Sequence, residues 1–397
     1  MHVPGWHERT RKLQDDGRIQ MLGILQEQHP DRARLFMQWK EMGWPLMVDS
    51  LDLLDVGVVP LTVLIDERGV VFAIRPDTAS FDAFLATSPG DAQLPTPSHP
   101  AQPDRHALQA AAKSGRAADL SALADAAFLW GGEPGLDTAI DLYRRARALD
   151  PDEGRASFRL GVAYRRRYDT SIRRDGDFAA AVAAWGEALD ADPNQYIWRR
   201  RIQQYGPRLN KPYPFYDWVA TARAQIIARR ETPVALEVEP HGAEIARPAR
   251  TFEAAAADAA NPDPAGRIQR DEEGFVTIEQ TVVPASIEAG AAARVHLVMR
   301  PDPARRAHWN NEAEEMVVWV EPPTGWSVDA RRITVPGPPE AVSEEVREVE
   351  FECRVPKNAS GTVSVPAYAL YYVCEGVHGA CLYRRQDIPV VVQVRSR

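Results

Sequence analysis

Residues 59–71, "VPLTVLIDERGVV", decide how the first part of the chain folds. Pro60 has no N–H to give to a sheet, so it must stand at the start of a strand, often after a cis bond, and leave that edge free. The following residues indicate two β-branched strands joined by the turn Asp66-Glu67-Arg68-Gly69. The stretch therefore predicts a hairpin whose leading edge, at Val59 and Pro60, is open to a binding partner.

The flanking sequence alternates between strand and helix. An apolar run of strand length, "IQMLGILQE", is followed by the helical spacing of "DRARLFMQWKEM" and by the short extended piece "WPLMVD". After the hairpin, "SFDAFLA" indicates a closing helix. This order predicts an α/β domain over residues 1–86, with its strands on one mixed sheet.

This order and these residues resemble the thioredoxin-like fold, in its redoxin and TlpA-like branch. There a cis-proline precedes a strand, as Pro60 does here, and a strand-turn-strand follows, as "LIDERGVV" does at residues 64–71. The resemblance implies that Val59 and Pro60 shape a substrate-docking edge beside a catalytic Cys-x-x-Cys. The sequence holds no such pair. Either the chain begins just after the active site, with "HVPGWHERTRKL" as the rest of its helix, or the domain is degenerate and only binds.

Residues 87–104 are a Pro-rich linker, and residues 105–230 are helical and repetitive. An alanine, an aromatic residue and a second alanine lie at the same offsets before Pro151 and before Pro193. The two sets are Ala139, Tyr143, Ala146 and Ala181, Trp185, Ala188. They resemble the second helix of the tetratricopeptide repeat, which implies an all-α repeat domain that binds a protein partner.

Residues 231–272 are a mixed connector. From residue 273, apolar residues recur at every second position. Segments such as "FVTIEQTVV", "ARVHLVMR" and "REVEFECRV" are typical of strands, and six or seven of them predict an all-β, immunoglobulin-like sandwich over residues 273–397. Alternation in "REVEFECRV" places Val349, Phe351 and Cys353 on one face. Cys353 is therefore expected in the core.

Length and charge limit the function. A chain of 397 residues favours three domains, and a net charge of −9 gives no reason to seek nucleic acid or anionic lipid. No apolar run is long enough for a membrane span, and the start lacks a signal peptide. We expect a soluble chain, cytoplasmic as written, and periplasmic or exported if a longer precursor carries a signal. No nucleotide-binding motif is present, so no cofactor is expected.

"YYVCEGVHGACLYRR" places Cys374 and Cys381 seven residues apart across a Gly-containing hairpin, within disulfide reach. His378 and Arg384 are near enough in sequence to stabilise a thiolate. The segment "HWNNEAEEMVVW", from His308, either flanks the pair or merely turns the chain. Two other interpretations stay open. In one, the pair is a purely structural disulfide. In the other, the two cysteines and His378 bind a metal ion, but no clear fourth ligand is present, so a metal site is not expected.

The late Tyr-rich strand, the two cysteines around a short loop and the closing strand resemble the N-terminal periplasmic domains of bacterial thiol:disulfide interchange proteins. The resemblance implies that Cys374 and Cys381 are the catalytic pair and exchange electrons with a thioredoxin-like partner. We expect a thiol-disulfide redox protein, an oxidoreductase if the pair is active. The alternative is a non-enzymatic interaction scaffold with a degenerate thioredoxin-like domain and a structural disulfide.

Overall fold

The computed structural model describes residues 2–87, 102–206, 211–240, 244, 252–256, 259–283, 286–376 and 380–395. Within them the chain forms both helical and sheet regions. It divides into two compact units. The first contains residues 1–174, 184–200 and 218–238, and the second contains residues 175–183, 201–217 and 239–397.

The first unit begins with helices and very short strands. In chain order they are α1 (His2–Asp15), β1 (Gly23–Leu25), α2 (Pro30–Trp39), β2 (Leu46–Val48), β3 (Val63–Ile65), β4 (Val71–Ile74) and α3 (Thr78–Ala86). This order of elements agrees with the pattern in the sequence. The peptide bond between Val59 and Pro60 is cis.

The strands of this region form two sheets rather than one. β1 pairs with β2 in parallel, and β3 pairs with β4 in an antiparallel hairpin. No strand among the described residues bridges β1 and β3, so the two pairs stay separate. The expectation of a single mixed sheet was therefore wrong for the part of the chain that the structure describes.

The remaining helices follow along the chain. They are α4 (Arg105–Ala112), α5 (Ala117–Trp130), α6 (Gly132–Leu149), α7 (Arg155–Tyr168), α8 (Asp177–Ala191), α9 (Tyr196–Tyr205) and α10 (Trp218–Ala228). α4 packs on α5, α5 on α6, and α6 on α7. The alanines and aromatics that share offsets in the sequence are all fully buried: Ala139, Tyr143, Ala146, Ala181, Trp185 and Ala188.

Hydrogen bonds hold the hydroxyl of the buried Tyr143. Its hydroxyl donates to Asp125 Oδ1 at 2.6 Å, and Arg159 Nη1 donates to Asp125 Oδ2 at 2.8 Å. Arg159 also donates through Nε to the carbonyl of Leu51 at 3.1 Å. A buried hydroxyl must find a partner, and here a chain of charge-assisted hydrogen bonds satisfies it.

We predict that Gly161→Ala destabilises the first unit, because a Cβ at this position in α7 would overlap the indole ring of the fully buried Trp185. Overpacking of this kind lowers the free energy of unfolding by about 1–3 kcal/mol. Urea-induced unfolding followed by tryptophan fluorescence measures the change.

The matched control is Gly186→Ala in α8, where nothing lies within 4 Å of the added Cβ. There the substitution is expected to stabilise the helix by roughly 0.5–1 kcal/mol. Equal effects at the two positions would contradict the packing of α7 on Trp185.

The second unit carries the longer strands. They are β5 (Val276–Val283), β6 (Ser286–Glu288), β7 (Ala292–Pro301), β8 (Ala307–Asn310), β9 (Met316–Val320), β10 (Ser327–Val328), β11 (Arg332–Val335), β12 (Val342–Ser343), β13 (Arg347–Arg354), β14 (Gly361–Glu375) and β15 (Cys381–Arg395). One sheet has the order β10-β13-β7-β5. The other has the order β11-β9-β14-β15-β6, with β8 paired to β14 and β12 to β8.

The two sheets share one apolar core. Alternate residues of β7 and β13, such as Val295, Leu297 and Phe351, pack against alternate residues of β14 and β15, such as Tyr371 and Val390. The free thiol of Cys353 belongs to this core and is fully buried. The period of two in the sequence predicted this placement of Cys353, and the structure confirms it.

The opposite face of the four-stranded sheet is polar yet buried. Glu350 lies opposite His296, and Glu352 lies opposite Arg294. His296 Nδ1 is 3.2 Å from Glu350 Oε1, and the guanidinium of Arg294 donates to Glu352 Oε1. The ring of Phe178 covers His296, with ring centroids 4.9 Å apart.

Lys211 is the unusual member of this buried group. It is 4% exposed, and its Nζ finds no hydrogen-bond partner among the described residues. Burial lowers the pKa of Lys211 to about 8, opposed by the charges of Glu350 and Glu244 and assisted by that of Arg294. Below about pH 8 the amine is protonated in the folded protein as well, and its buried charge lowers the stability relative to the unfolded chain.

We predict that Lys211→Met increases the free energy of unfolding at pH 7. The expected gain is about 3 kcal/mol, because burial lowers the lysine pKa from 10.5 to about 8 and the substitution removes that penalty. Because the folded pKa is below the unfolded value, the penalty is complete below pH 8 and disappears as the pH rises to about 10.5. Urea unfolding at pH 7 and at pH 10 measures the difference between variant and parent. Lys113→Met, at an exposed position, is the control. A gain from Lys211→Met that is the same at both pH values would contradict this account.

Candidate functional site

The β14–β15 hairpin brings Cys374 and Cys381 together. Its register runs from Gly361 opposite Val394 to Cys374 opposite Cys381. Beyond Cys374 the chain turns at Gly376, whose φ of +59° is the left-handed conformation that glycine adopts most readily. The cysteines therefore form the last register pair before the turn.

The two sulfurs are bonded as a disulfide, with the Cα atoms 4.0 Å apart. The backbone N–H of Glu375 donates to the carbonyl of Ala380 at 3.4 Å. The next pair, Cys374 and Cys381, is thus a non-hydrogen-bonded pair, in which facing side chains lie closest. The sequence indicated that this geometry was possible, and the local strand pairing accounts for it.

The environments of the two cysteines differ. Cys374 is 2% exposed, whereas Cys381 is exposed at the start of β15. A thiolate from outside would therefore meet Cys381 first. Its attack would make the buried Cys374 the leaving group.

The disulfide lies on the outer face of the seven-stranded sheet. Tyr371 and Val373 point into the shared core, so Tyr372 and Cys374 point to the other side. Tyr372 and Tyr383, the register partners two positions from the disulfide, stack with ring centroids 4.4 Å apart. An aromatic pair thus adjoins the disulfide on the outer face.

The structure does not bring Arg384 to the sulfurs. Arg384 is the register partner of Tyr371, so its side chain leaves β15 on the inner side, opposite to Cys381. It is buried and donates through Nη1 to Gln269 Oε1 at 3.0 Å. Nearness in sequence suggested a thiolate-tuning role for Arg384, but an odd spacing along a strand changes the face. His378 lies outside the described residues.

His308 is the imidazole that the strand pairing places next to the disulfide. In the register of β8 with β14, His308 lies opposite Cys374 and Trp309 lies opposite Val373. Trp309 is fully buried in the core, so the half-buried His308 shares the outer face with Cys374. Its Nδ1 is 3.4 Å from the carbonyl of Arg306. The sequence indicated only that the segment from His308 could flank the pair, since strand register is not visible in it.

Carboxylates surround this end of the sheet. The chain leaves β8 and re-enters the sheet at β9 through an exposed segment with Glu312, Glu314 and Glu315. Burial raises the pKa of Tyr383, and the negative charges of Glu314 and Asp263 raise it further. Of these two carboxylates, Asp263 is paired with Arg385.

The same outer face carries a cleft of about 710 Å³, which lies farther from the hairpin turn. Trp319, Tyr368 and Pro366 line it. The guanidinium of Arg385 stacks 3.8 Å from the ring centroid of Tyr368 and pairs with Asp263 at 2.8 Å. The outer face thus offers an ordered surface on both sides of the stacked tyrosines.

The predicted docking residues lie in the first unit. Val59 and Pro60 are both exposed, with Val59 40% exposed, and Leu61 after them is 37% exposed. Apolar side chains of the hairpin that follows are exposed as well, including Val71 and Ile74. This part of the surface is apolar and accessible.

The described residues contain neither a metal-binding cluster nor a membrane-spanning helix. They contain no group of three or more His, Cys, Asp or Glu side chains that could hold a metal ion. No helix among them is both long and apolar enough to cross a lipid bilayer.

No protein-family model and no curated protein matches this chain. Among solved structures, a protein of unknown function from Porphyromonas gingivalis W83 is 17% identical, over 30% of this chain and 48% of that chain, with a TM-score of 0.18. The sporulation control protein Spo0M from Bacillus subtilis is 10% identical, over 31% of this chain and 51% of that chain, with a TM-score of 0.17. The chain thus covers about half of each. The DNA glycosylase AlkC from Pseudomonas fluorescens is 14% identical, over 75% of this chain and 93% of that chain, with a TM-score of 0.15. Similarities this weak carry no argument about function.

We predict an order of thiol reactivity after reduction. The Cys374→Ser variant, which keeps Cys381, should react with iodoacetamide at least about tenfold faster than the Cys381→Ser variant, because the sulfur of Cys374 is buried. Cys353 should stay unlabelled in the folded protein, since burial raises its pKa to about 12. Mass spectrometry of each modified peptide gives the rates. Labelling in urea, where all thiols react, is the control, and equal folded-state rates for Cys374 and Cys381 would overturn the assignment.

Proposed function

We propose that this chain is a thiol-disulfide exchange protein whose redox centre is the pair Cys374 and Cys381. The observation that carries the proposal is the unequal exposure of the two bonded cysteines on the outer face of the sheet. Exchange needs one sulfur that an incoming thiolate can reach and a second that can leave. This pair offers both.

The reaction with a dithiol partner balances in two steps. A thiolate of the partner attacks Cys381 Sγ, the bond to Cys374 Sγ breaks, and Cys374 leaves with the electron pair and takes up a proton. The second thiol of the partner, after losing its proton, attacks the partner's own sulfur in the mixed disulfide and releases Cys381 as a thiolate, which is then protonated. This chain gains two electrons and two protons, and the partner becomes a disulfide.

The partner that fits this reaction is a protein with a thioredoxin-like dithiol. The exposed Glu312, Glu314 and Glu315 could face basic residues of such a partner, which would also lower the pKa of its reactive cysteine. The stacked Tyr372 and Tyr383 supply aromatic contact area beside the disulfide.

Roles for the other regions belong to the same proposal. Residues 1–86 would act as a thioredoxin-like docking domain with its edge at Val59 and Pro60, which the strand-helix order and the exposed apolar residues support. Residues 105–230 would act as tetratricopeptide-type repeats that hold a protein partner, supported by the buried alanines and aromatics at equal offsets. Residues 273–397 would be an immunoglobulin-like sandwich, supported by two sheets on one core.

The reduction potential of the Cys374–Cys381 disulfide tests the proposal. The purified protein is equilibrated with glutathione and dithiothreitol buffers, and its free thiols are counted. A potential near about −200 mV, with rapid reduction by thioredoxin, is expected for an exchange centre. A potential below about −300 mV would leave a structural disulfide in a binding scaffold, which is the alternative function.

A further inference from the structure

The buried sulfur raises a physical problem for the exchange reaction. When Cys381 is attacked, Cys374 must leave as a thiolate, and its residue is 2% exposed. Burial disfavours a charged thiolate and raises a thiol's pKa unless a nearby group compensates. A leaving group with a high pKa departs slowly. The site therefore needs a group that stabilises charge on Cys374 Sγ or supplies its proton.

The strand register identifies one group in the right place. His308 lies opposite Cys374 on β8, and both side chains are on the outer face. The N–H of Gly376 donates to the carbonyl of Arg306 at 3.0 Å, two residues along each strand from this pair. Cys374 and His308 are therefore a hydrogen-bonded pair, with Cα atoms about 5.5 Å apart. At that Cα separation, a rotation of the His308 side chain can bring the imidazole to the facing sulfur.

The hydrogen bond of the ring also selects the tautomer. The Nδ1 atom of His308 is 3.4 Å from the carbonyl of Arg306, and a carbonyl can only accept. The tautomer with its hydrogen on Nδ1 makes this contact a hydrogen bond. In the neutral ring, Nε2 is then the acceptor, which is the atom that can exchange a proton with a thiol.

The other ionisable groups on this face do not supply that proton. The phenol of Tyr383 has a raised pKa because of burial and neighbouring negative charge. Arg306 is exposed at the base of the turn and cannot be deprotonated. The remaining described groups near the hairpin turn are carboxylates or the second phenol, namely Glu312, Glu314, Glu315, Glu375 and Tyr372.

We propose that His308 is the proton-exchanging residue for Cys374, an inference that rests on the proposed exchange function. During reduction, the protonated Nε2 stabilises the departing Cys374 thiolate and gives it a proton. During reoxidation, the neutral Nε2 takes the proton from the Cys374 thiol, and the resulting thiolate attacks the mixed disulfide at Cys381 Sγ. The partner thiolate then leaves with the electron pair, so atoms and electrons balance.

The test measures the thiol of Cys374 directly. In the Cys381→Ser background, absorbance of the thiolate at 240 nm is followed against pH, with and without His308→Gln. Cys353 does not interfere, because burial raises its pKa to about 12. Loss of His308 is expected to reduce the thiolate fraction at pH 7 by about tenfold, a shift of one pKa unit. His308→Lys keeps a positive charge but no proton acceptor near neutral pH, and is expected to restore the thiolate.

Two matched controls separate His308 from other histidines. His378→Gln removes the imidazole that lies between the two cysteines in sequence, and His106→Gln removes an exposed one in α4. Both are expected to leave the Cys374 titration unchanged. A shift caused by His378→Gln alone, or by none of the three variants, would overturn the assignment of His308.

A kinetic measurement keeps the test valid if a background variant does not fold. The chain with both cysteines is reduced by β-mercaptoethanol between pH 5.5 and 8.5, and rates are divided by the reagent's thiolate concentration. We expect the corrected rate to decrease about tenfold from the acidic to the alkaline end of this range in the parent chain, and to be flat in His308→Gln. A flat profile in the parent chain would contradict the proposal. The reduction potential of the parent chain decides the exchange function separately, so the two failures are distinguishable.

Discussion

The register between β14 and β15 is the constraint on which the second unit depends. It aligns fourteen residue pairs, from Gly361 with Val394 to Cys374 with Cys381. A shift of one residue would move every side chain of one strand to the other face. It would expose Tyr371 and Val373, which are now 1% exposed, and separate the cysteines. The core and the disulfide therefore specify the same register.

The alternation of side chains along each strand determines whether each of the three cysteines faces the core or the outer side. On β13, Val349, Phe351 and Cys353 face the core, whereas Glu348, Glu350 and Glu352 face the buried polar layer on the other side. Cys353 is thus sealed among apolar side chains. Cys374 and Cys381 occupy outer positions of their strands. Cys353 is a third thiol that could enter unwanted exchange. The alternation of side chains that builds the sheets keeps it inside the core.

Sequence reasoning succeeded where the information is local. Equal offsets before Pro151 and Pro193 identified buried alanines and aromatics in the helices, because helical packing repeats along the chain. Alternation identified the core position of Cys353. Partners across a sheet are not local, however. Arg384 is close to Cys381 in sequence and points to the opposite face, whereas His308 is distant in sequence and lies opposite Cys374. The expected single mixed sheet of residues 1–86 was wrong for the same reason, since strand order depends on pairing rather than on the order of elements.

The position of the disulfide also bears on whether it can be opened repeatedly. A cross-link that closes a loop of eight residues restricts the unfolded chain only modestly, by about 2.5 kcal/mol in the chain-entropy model. The hairpin itself is held by the thirteen other register pairs and by the apolar residues of its inner face. In this model, reduction would remove about 2.5 kcal/mol, and these contacts would keep the two cysteines opposite each other. A redox centre needs this separation between the bond that is broken and the contacts that hold the fold, because its reduced form must stay folded to be oxidised again.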